Sequence, residues 1–183
     1  MKKIILTMAA VFAVSFANAQ DKKDGASGQT SKGKWLVEAN TGFGAVNGAN
    51  TSFGYYSQGD VKSMSLGAEA GYFVMDDLAI KLGIGYNSID LGAGANSGFA
   101  YKLGAKYYIK SMIPVQVDYS AGSGDLYKAG DETPSYLGLQ AGYAWFLGSN
   151  VSIEPGLRYN MSMNDKYTED SAFQVCIGFA LHF

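Results

Sequence analysis

The sequence is poor in the residues that most enzymes and redox proteins depend on. It holds one histidine and one cysteine in 183 residues. Cys176 has no partner for an intramolecular disulfide and no neighbours at metal-ligand spacing. His182 stands alone as the penultimate residue. Proline is scarce at 3, and charged residues make up only 16 %. The formal charge of −2 argues against a nucleic-acid partner. Beyond the first twenty residues no apolar run reaches the length of a membrane helix, and no helical periodicity recurs. These absences predict no enzyme, no catalytic residue, no metal and no cofactor.

Residues 1–19 read as a secretory signal peptide. Lys2 and Lys3 precede an apolar run, and Ala17-Asn18-Ala19 supplies a small-x-small cleavage site. Loss of the two lysines moves the formal charge from −2 to −4. Residues 20–33 are polar and without apolar period, which predicts a flexible periplasmic N-terminal segment. Residues 34–183 are expected to form one domain.

What is abundant is glycine, at 24, tyrosine, at 13, and phenylalanine, at 10. They fall in alternating patterns. Phe173, Val175, Ile177, Phe179, Leu181 and Phe183 take every second position, with smaller or polar residues between them. Successive strand residues point to opposite faces, so this is a strand with one oily face. A long alternating strand at the end of a chain would leave an open edge unless it pairs with the first strand and closes a barrel.

Seven further stretches alternate in the same way. They begin at Trp35 and continue through Met64 to Val74, Leu78 to Tyr86, Phe99 to Ile109, Val115 to Tyr119, Leu137 to Trp145, and Val151 to Met161. Short turns are expected near residues 75–77, 111–113 and 148–150. Loops are expected at residues 46–60, 88–97, 122–134 and 164–170. Pro155, on the oily face, predicts a bulge. The fold class is therefore all-β: an eight-stranded antiparallel up-and-down transmembrane β-barrel, with long and short connections at opposite ends.

The faces separate a membrane barrel from a lipocalin-like carrier, whose apolar face would point inward. The oily face carries nearly all the bulky residues, with aromatics near both strand ends and aliphatics between them, as interfacial anchoring requires. The other face carries Glu38, Glu69, Lys81, Lys102, Lys106, Asp118, Glu154 and Arg158 among Gly, Ala, Ser and Gln. A narrow lumen accepts that set, and buried charges need partners there. A tight turn at 75–77 puts Lys81 opposite Gly71 and diagonal to Glu69. A tight turn at 111–113 puts Lys106 opposite Asp118.

The terminal alternation to Phe183 and the segment Gly71-Tyr72-Phe73-Val74-Met75-Asp76-Asp77-Leu78 resemble the small eight-stranded outer-membrane barrels. That group includes outer-membrane protein X, the membrane domain of outer-membrane protein A and the short porin-family barrels of Bacteroidetes type. The resemblance implies a Gram-negative outer membrane, periplasmic termini and a monomer in contact with outer-membrane lipid. It implies a C-terminal assembly signal, Phe173, Phe179, Leu181 and Phe183, read by the barrel-assembly machinery. The expected role is structural or surface-interacting, with a charged side-chain network filling the lumen. The alternative is a narrow porin-like channel for small solutes. Cys176, on the inner face, is expected to be inert. His182 is expected to be a polar residue of the periplasmic rim, far from the outer leaflet where a lipid or peptide substrate of an outer-membrane enzyme would sit.

Overall fold

The computed structural model describes residues 28–41 and 48–183. The expected signal peptide, residues 20–27 and residues 42–47 lie outside the described residues. Alternating sequence becomes strand throughout: β1 (Trp35–Asn40), β2 (Ser52–Gln58), β3 (Val61–Met75), β4 (Leu78–Leu91), β5 (Ala95–Ile109), β6 (Ile113–Ser123), β7 (Ser135–Gly142), β8 (Trp145–Phe146), β9 (Val151–Ser162) and β10 (Ala172–His182). A 3₁₀ helix, Asp125–Tyr127, lies between β6 and β7.

Each strand pairs antiparallel with its neighbours, in the order β1-β10-β9-β7-β6-β5-β4-β3. β1 also pairs with β3, which closes the sheet. β2 succeeds β1 along the same neighbour: β1 lies against residues 70–72 of β3 and β2 against residues 61–67. β8 continues β7 along β9. The segments therefore build eight staves, a closed antiparallel barrel. At the seam Trp35 donates its N–H to the Phe183 carbonyl at 2.6 Å, and Phe183 donates to the Trp35 carbonyl at 3.0 Å. Closure satisfies backbone groups that an open edge would leave bare.

One end of the barrel carries both described termini and the short turns; the other carries the longer connections. They are called the turn end and the loop end below. At the turn end the connections are Asp76 with Asp77, residues 110–112, and residues 147–150. Asp77, Lys110 and Ser111 adopt left-handed backbone at φ 65°, 54° and 58°. Two expectations about this end change. The bulge lies at Val74, where the β3–β4 register shifts, and not at Pro155. Pro155 keeps an unbroken register with β10, while β7 and β8 part around Tyr143 and Ala144. Tyr143 donates to the Pro155 carbonyl at 3.0 Å. Proline has no N–H to return, so the ladder gaps instead of bulging.

The second change concerns register. β5 and β6 pair Ile109 with Ile113, so Lys106 lies opposite Gln116 and Asp118 opposite Gly104. The expected Lys106–Asp118 pair is not formed. The turn centres on Ser111 because Lys110 and Ser111 both take left-handed backbone, and this moves the pairing by two residues.

The loop end also differs from expectation. Part of the expected 46–60 loop is β2, turned into β3 through Gly59. The expected 88–97 loop is mostly strand, with only residues 92–94 between β4 and β5. The alternations Phe53/Tyr55 and Ile89/Leu91 continue the pleat through stretches whose Gly, Asn and Ser content had suggested loops. β3 at 15 residues and β5 at 15 exceed the roughly 9–11 residues that cross a membrane. The excess forms a four-stranded ribbon beyond the loop-end aromatics.

The outer face matches a lipid-facing wall. Leu82 is 63 % exposed, Ile84 60 % and Leu103 58 %. Trp35 and Tyr72 meet at the turn end with tilted rings, 5.1 Å between centroids, and Tyr86 and Phe99 do so at the loop end, 5.2 Å. Phe173, Phe179, Leu181 and Phe183 all project outward and exposed. So continuous an apolar surface is a membrane-barrel surface, with bulky residues out and polar residues in.

Candidate functional site

The site is the lumen. It is built by the inward residues of every long strand, and it has three layers.

The middle layer is charged. Glu38, Glu69, Lys81, Lys102, Lys106, Asp118, Glu154 and Arg158 all point inward and are buried. Four are acids and four are bases, so the layer is formally neutral. Glu38 of β1 is its hub. Its Oε2 lies 2.9 Å from Lys81 Nζ and 2.7 Å from Lys106 Nζ. Lys81 also reaches Glu69 at 2.8 Å, across the diagonal from its β3 partner Gly71. Glu69 in turn lies 3.3 Å from Lys102. Lys106 bridges to Glu154 at 2.5 Å, and Tyr108 and Ser152 donate to that carboxylate at 2.9 and 2.8 Å.

Arg158 and Asp118 form a second group, with guanidinium–carboxylate contacts of 2.6 and 2.8 Å. Gln116 joins the two groups. It accepts from Lys81 at 2.8 Å and donates to Asp118 at 2.7 Å. A bidentate Arg–carboxylate pair and shared ammonium donors are what a dry interior requires, since an unpartnered charge there is very costly.

The turn-end layer is apolar. Leu36, Phe73, Ala79, Tyr108, Ala144 and Ala180 pack together, with Phe146 against them. His182 is buried among these rings, 6.2 Å from Phe73 and 5.3 Å from Phe146 by ring centroids. Its Nε2 lies 3.1 Å from Ser152 Oγ. It is a buried packing residue, not a residue of the polar rim, because the last turn of the pleat points it inward. Cys176 is buried too, its Sγ 3.5 Å from the Gly156 carbonyl.

Residues 28–34 lie across this end. Thr30 is buried; its hydroxyl donates to Asp77 at 2.6 Å, and Asp77 donates its N–H to the Thr30 carbonyl at 2.8 Å. Asp76 accepts from the Lys32 N–H at 2.8 Å, and Gly33 donates to the Phe73 carbonyl at 2.8 Å. This stretch was expected to be free because it is polar; its hydrogen bonds to the β3–β4 turn hold it. Burial pushes the Asp77 carboxyl above its ordinary range, against the opposing hydrogen bonds of Thr30 and Ser111.

The loop-end layer is supplied by connections. Residues 48–50 run inside the wall against glycines of β3 and β4. A methyl group at Gly83 would stand 2.5 Å from the Ala49 carbonyl oxygen, and one at Gly85 would collide with the Gly48 carbonyl. Lys102 donates to the Asn50 side chain, and Glu69 donates its N–H to Thr51 Oγ1 at 2.8 Å. Tyr127, from the 3₁₀ helix, fills a cradle beside Gly98 and Gly122 and accepts from Asn87 at 2.9 Å. Burial raises its phenol above the ordinary range, with the Asn87 contact opposing.

The inward insert at residues 48–51 and the Tyr127 stopper were not foreseen from the sequence. The available signal was the run of inward glycines at 67, 83 and 85, positions where a lumen residue should carry bulk. Among the described residues no group of His, Cys, Asp and Glu could hold a metal ion.

No family model matches the chain, and no curated protein matches it. Solved structures do. The N-terminal β-barrel domain of Pseudomonas aeruginosa OprF shares 13 % identity at a TM-score of 0.47, over 83 % of this chain and 98 % of that one. The Yersinia pestis outer membrane protein Ail, in a phospholipid nanodisc, shares 12 % at 0.44, over 84 % and 99 %. The outer membrane protein OprG of Pseudomonas aeruginosa shares 12 % at 0.38, over 86 % and 98 %. These likenesses concern the fold alone. The closed membrane-type barrel rests on the chain's own pairing and on its two faces.

Proposed function

We propose that this chain is an integral outer-membrane barrel with a closed lumen, whose work is done by the surface it presents at its loop end. The observation that carries this reading is the three-layer filling of the lumen. A neutral, mutually bonded set of eight charges lies between an apolar layer around Phe73 and Tyr108 and an insert of backbone at residues 48–51. An eight-stranded barrel has room for little beyond its own side chains. In this reading both termini are periplasmic, the chain is a monomer in outer-membrane lipid, and β10 with Phe183 is the strand recognised by the assembly machinery. The chain has no enzymatic role and no nucleic-acid partner.

A second reading, a narrow solute channel, draws on two atoms. Ser120 Oγ and Asn160 Nδ2 are buried without a hydrogen-bond partner among the described residues. Such groups call for water. The apolar layer at the turn end opposes a continuous path.

Spin labels at residues 82 and 174 of the reconstituted protein, combined with swelling of sugar-loaded liposomes, test the proposal. Label 82 is expected to report lipid and label 174, on the inward face of β10, the interior, with no swelling by small sugars. Swelling would move the channel reading to first place. Water at 82 with lipid at 174 would invert the faces.

A further inference from the structure

We infer that the loop end carries a docking cleft for a cationic polypeptide segment that also bears apolar side chains. The inference rests on the proposed outward orientation of the loop end, and it names the class of partner for that surface.

One wall of the cleft is the ribbon beyond the Tyr86–Phe99 aromatics. Its inner face is fixed by Asn87, which reaches Tyr127 over the lumen. Two and four residues further along β4, Ile89 and Leu91 share that face. Leu91 pairs with Val61 and Ile89 with Ser63, which pairs in turn with Tyr56. Tyr56 is 52 % exposed, Val61 37 %, Ile89 38 % and Leu91 72 %. These four apolar side chains sit past the lipid-facing belt and point across the mouth, where neither lipid nor the barrel core covers them. Apolar clusters of this kind on an exposed face mark interaction sites.

The remaining rim is acidic. Asp125, Asp131 and Glu132 lie in the connection from β6 to β7, and Asp165, Glu169 and Asp170 in that from β9 to β10. Asp60 lies in the β2–β3 turn, and Asp90 lies in β4 opposite Lys62, on the ribbon face away from Ile89 and Leu91. Against these eight acids stand Lys62, Lys128 and Lys166, a net of −5 at one end of the barrel. Lys128 is engaged by Asp125 at 3.2 Å and Lys166 by Glu132 at 3.6 Å. The lumen is neutral, so most of the chain's negative charge is displayed here.

Charge and apolarity together select the partner. A field of one sign steers and retains the opposite sign. Anionic partners are repelled. A divalent cation is not favoured, because the acids are spread over separate connections and none of the described groups converges at ligand spacing. A basic segment with alternate apolar side chains satisfies both walls.

The test uses the full barrel in phosphatidylcholine nanodiscs and three labelled synthetic peptides of equal length. They alternate lysine with leucine, lysine with serine, and glutamate with leucine. Fluorescence anisotropy is expected to show binding of the lysine–leucine peptide above that of empty nanodiscs. That binding should weaken about tenfold in about 0.5 M salt, where exposed charges are screened. It should also weaken about tenfold in the double change Ile89→Ser, Leu91→Ser, from the loss of apolar contact. Neither of the other peptides should bind comparably. Equal binding of the lysine–serine peptide, or binding no better than that of empty nanodiscs, would overturn the inference. Sugar swelling measured on liposomes bearing the same protein keeps the two readings apart. Absent peptide binding without swelling overturns the docking cleft alone, whereas swelling overturns the closed barrel.

Discussion

Lys106 and Glu38 stand 68 residues apart in sequence and 2.7 Å apart in space, Nζ to Oε2, in the middle of the barrel. The contact ties β5 to β1 across the lumen. Glu38 is also within 2.9 Å of Lys81, so one carboxylate serves two ammonium groups.

Removing that carboxylate alone is therefore expected to be severe. Glu38→Gln leaves two buried lysines with one acid fewer and should cost about 3–5 kcal/mol in unfolding free energy. The double change Glu38→Gln, Lys106→Met should cost less than the sum of its singles. Asp118 and Arg158 should couple in the same way, whereas Lys106 and Asp118 should couple weakly, because the observed register gives them different partners. Urea titrations in lipid vesicles read all three cycles. Additive losses throughout would mean that water, not the partner side chain, solvates these charges.

The insert at residues 48–50 depends on bare backbone opposite it. Gly85→Ala puts a methyl where the Gly48 carbonyl lies, so the insert must leave. An Ala49→Cys reporter is buried in the parent and should react slowly with a water-soluble maleimide. In the Gly85→Ala background it should react at least about tenfold faster, on the premise that loop openings are local and low in free energy. Unchanged protection would show that the insert does not pack on Gly85.

Asp77 gives the turn end a pH dependence whose sign is fixed by burial. Its carboxyl is raised from an ordinary 3.8 in the folded state. A raised acid binds its proton more tightly when folded, so its contribution is fully present below 3.8 and is lost as pH rises through the folded value. Stability of the turn end should therefore fall across that window in the parent. In Asp77→Asn it should stay flat, since the amide still accepts from Thr30. NMR titration of the Asp77 side chain together with exchange of the Gly33 amide measures both. A midpoint at or below 3.8 would contradict the burial argument.

Much of the barrel was legible because the pleat has a period of two. Leu82 against Gly83, or Lys102 against Leu103, needs only alternation to be assigned a face. The Lys81–Glu69 diagonal was readable for the same reason, since the two-residue Asp76–Asp77 turn leaves little freedom of register. The β5–β6 register was not readable. Nothing in Ile109-Lys110-Ser111-Met112-Ile113 separates a turn centred on Ser111 from one centred on Met112, and a two-residue shift preserves every face while exchanging every partner. β2 was hidden because Gly54, Ser52 and Ser57 dilute the alternation of Phe53 and Tyr55. The placement of residues 48–51 inside the wall is a tertiary choice, made by glycines on other strands.

Phe183 closes the seam with two backbone hydrogen bonds to Trp35 while its ring faces outward. Deleting it should lower the amount of heat-modifiable barrel in the outer-membrane fraction and leave export unaffected. Semi-native electrophoresis of fractionated cells reads the outcome, and an undiminished barrel band would remove Phe183 from the assembly role proposed for it.

The central claim is that the lumen is closed, and single-channel recording of the refolded protein in a planar bilayer addresses it most directly. The account predicts no steady conductance for the parent chain, because the charged middle layer is bonded to itself and the apolar layer around Phe73, Tyr108 and His182 lies beneath it. A stable, ohmic open state in the unmodified protein would contradict the account.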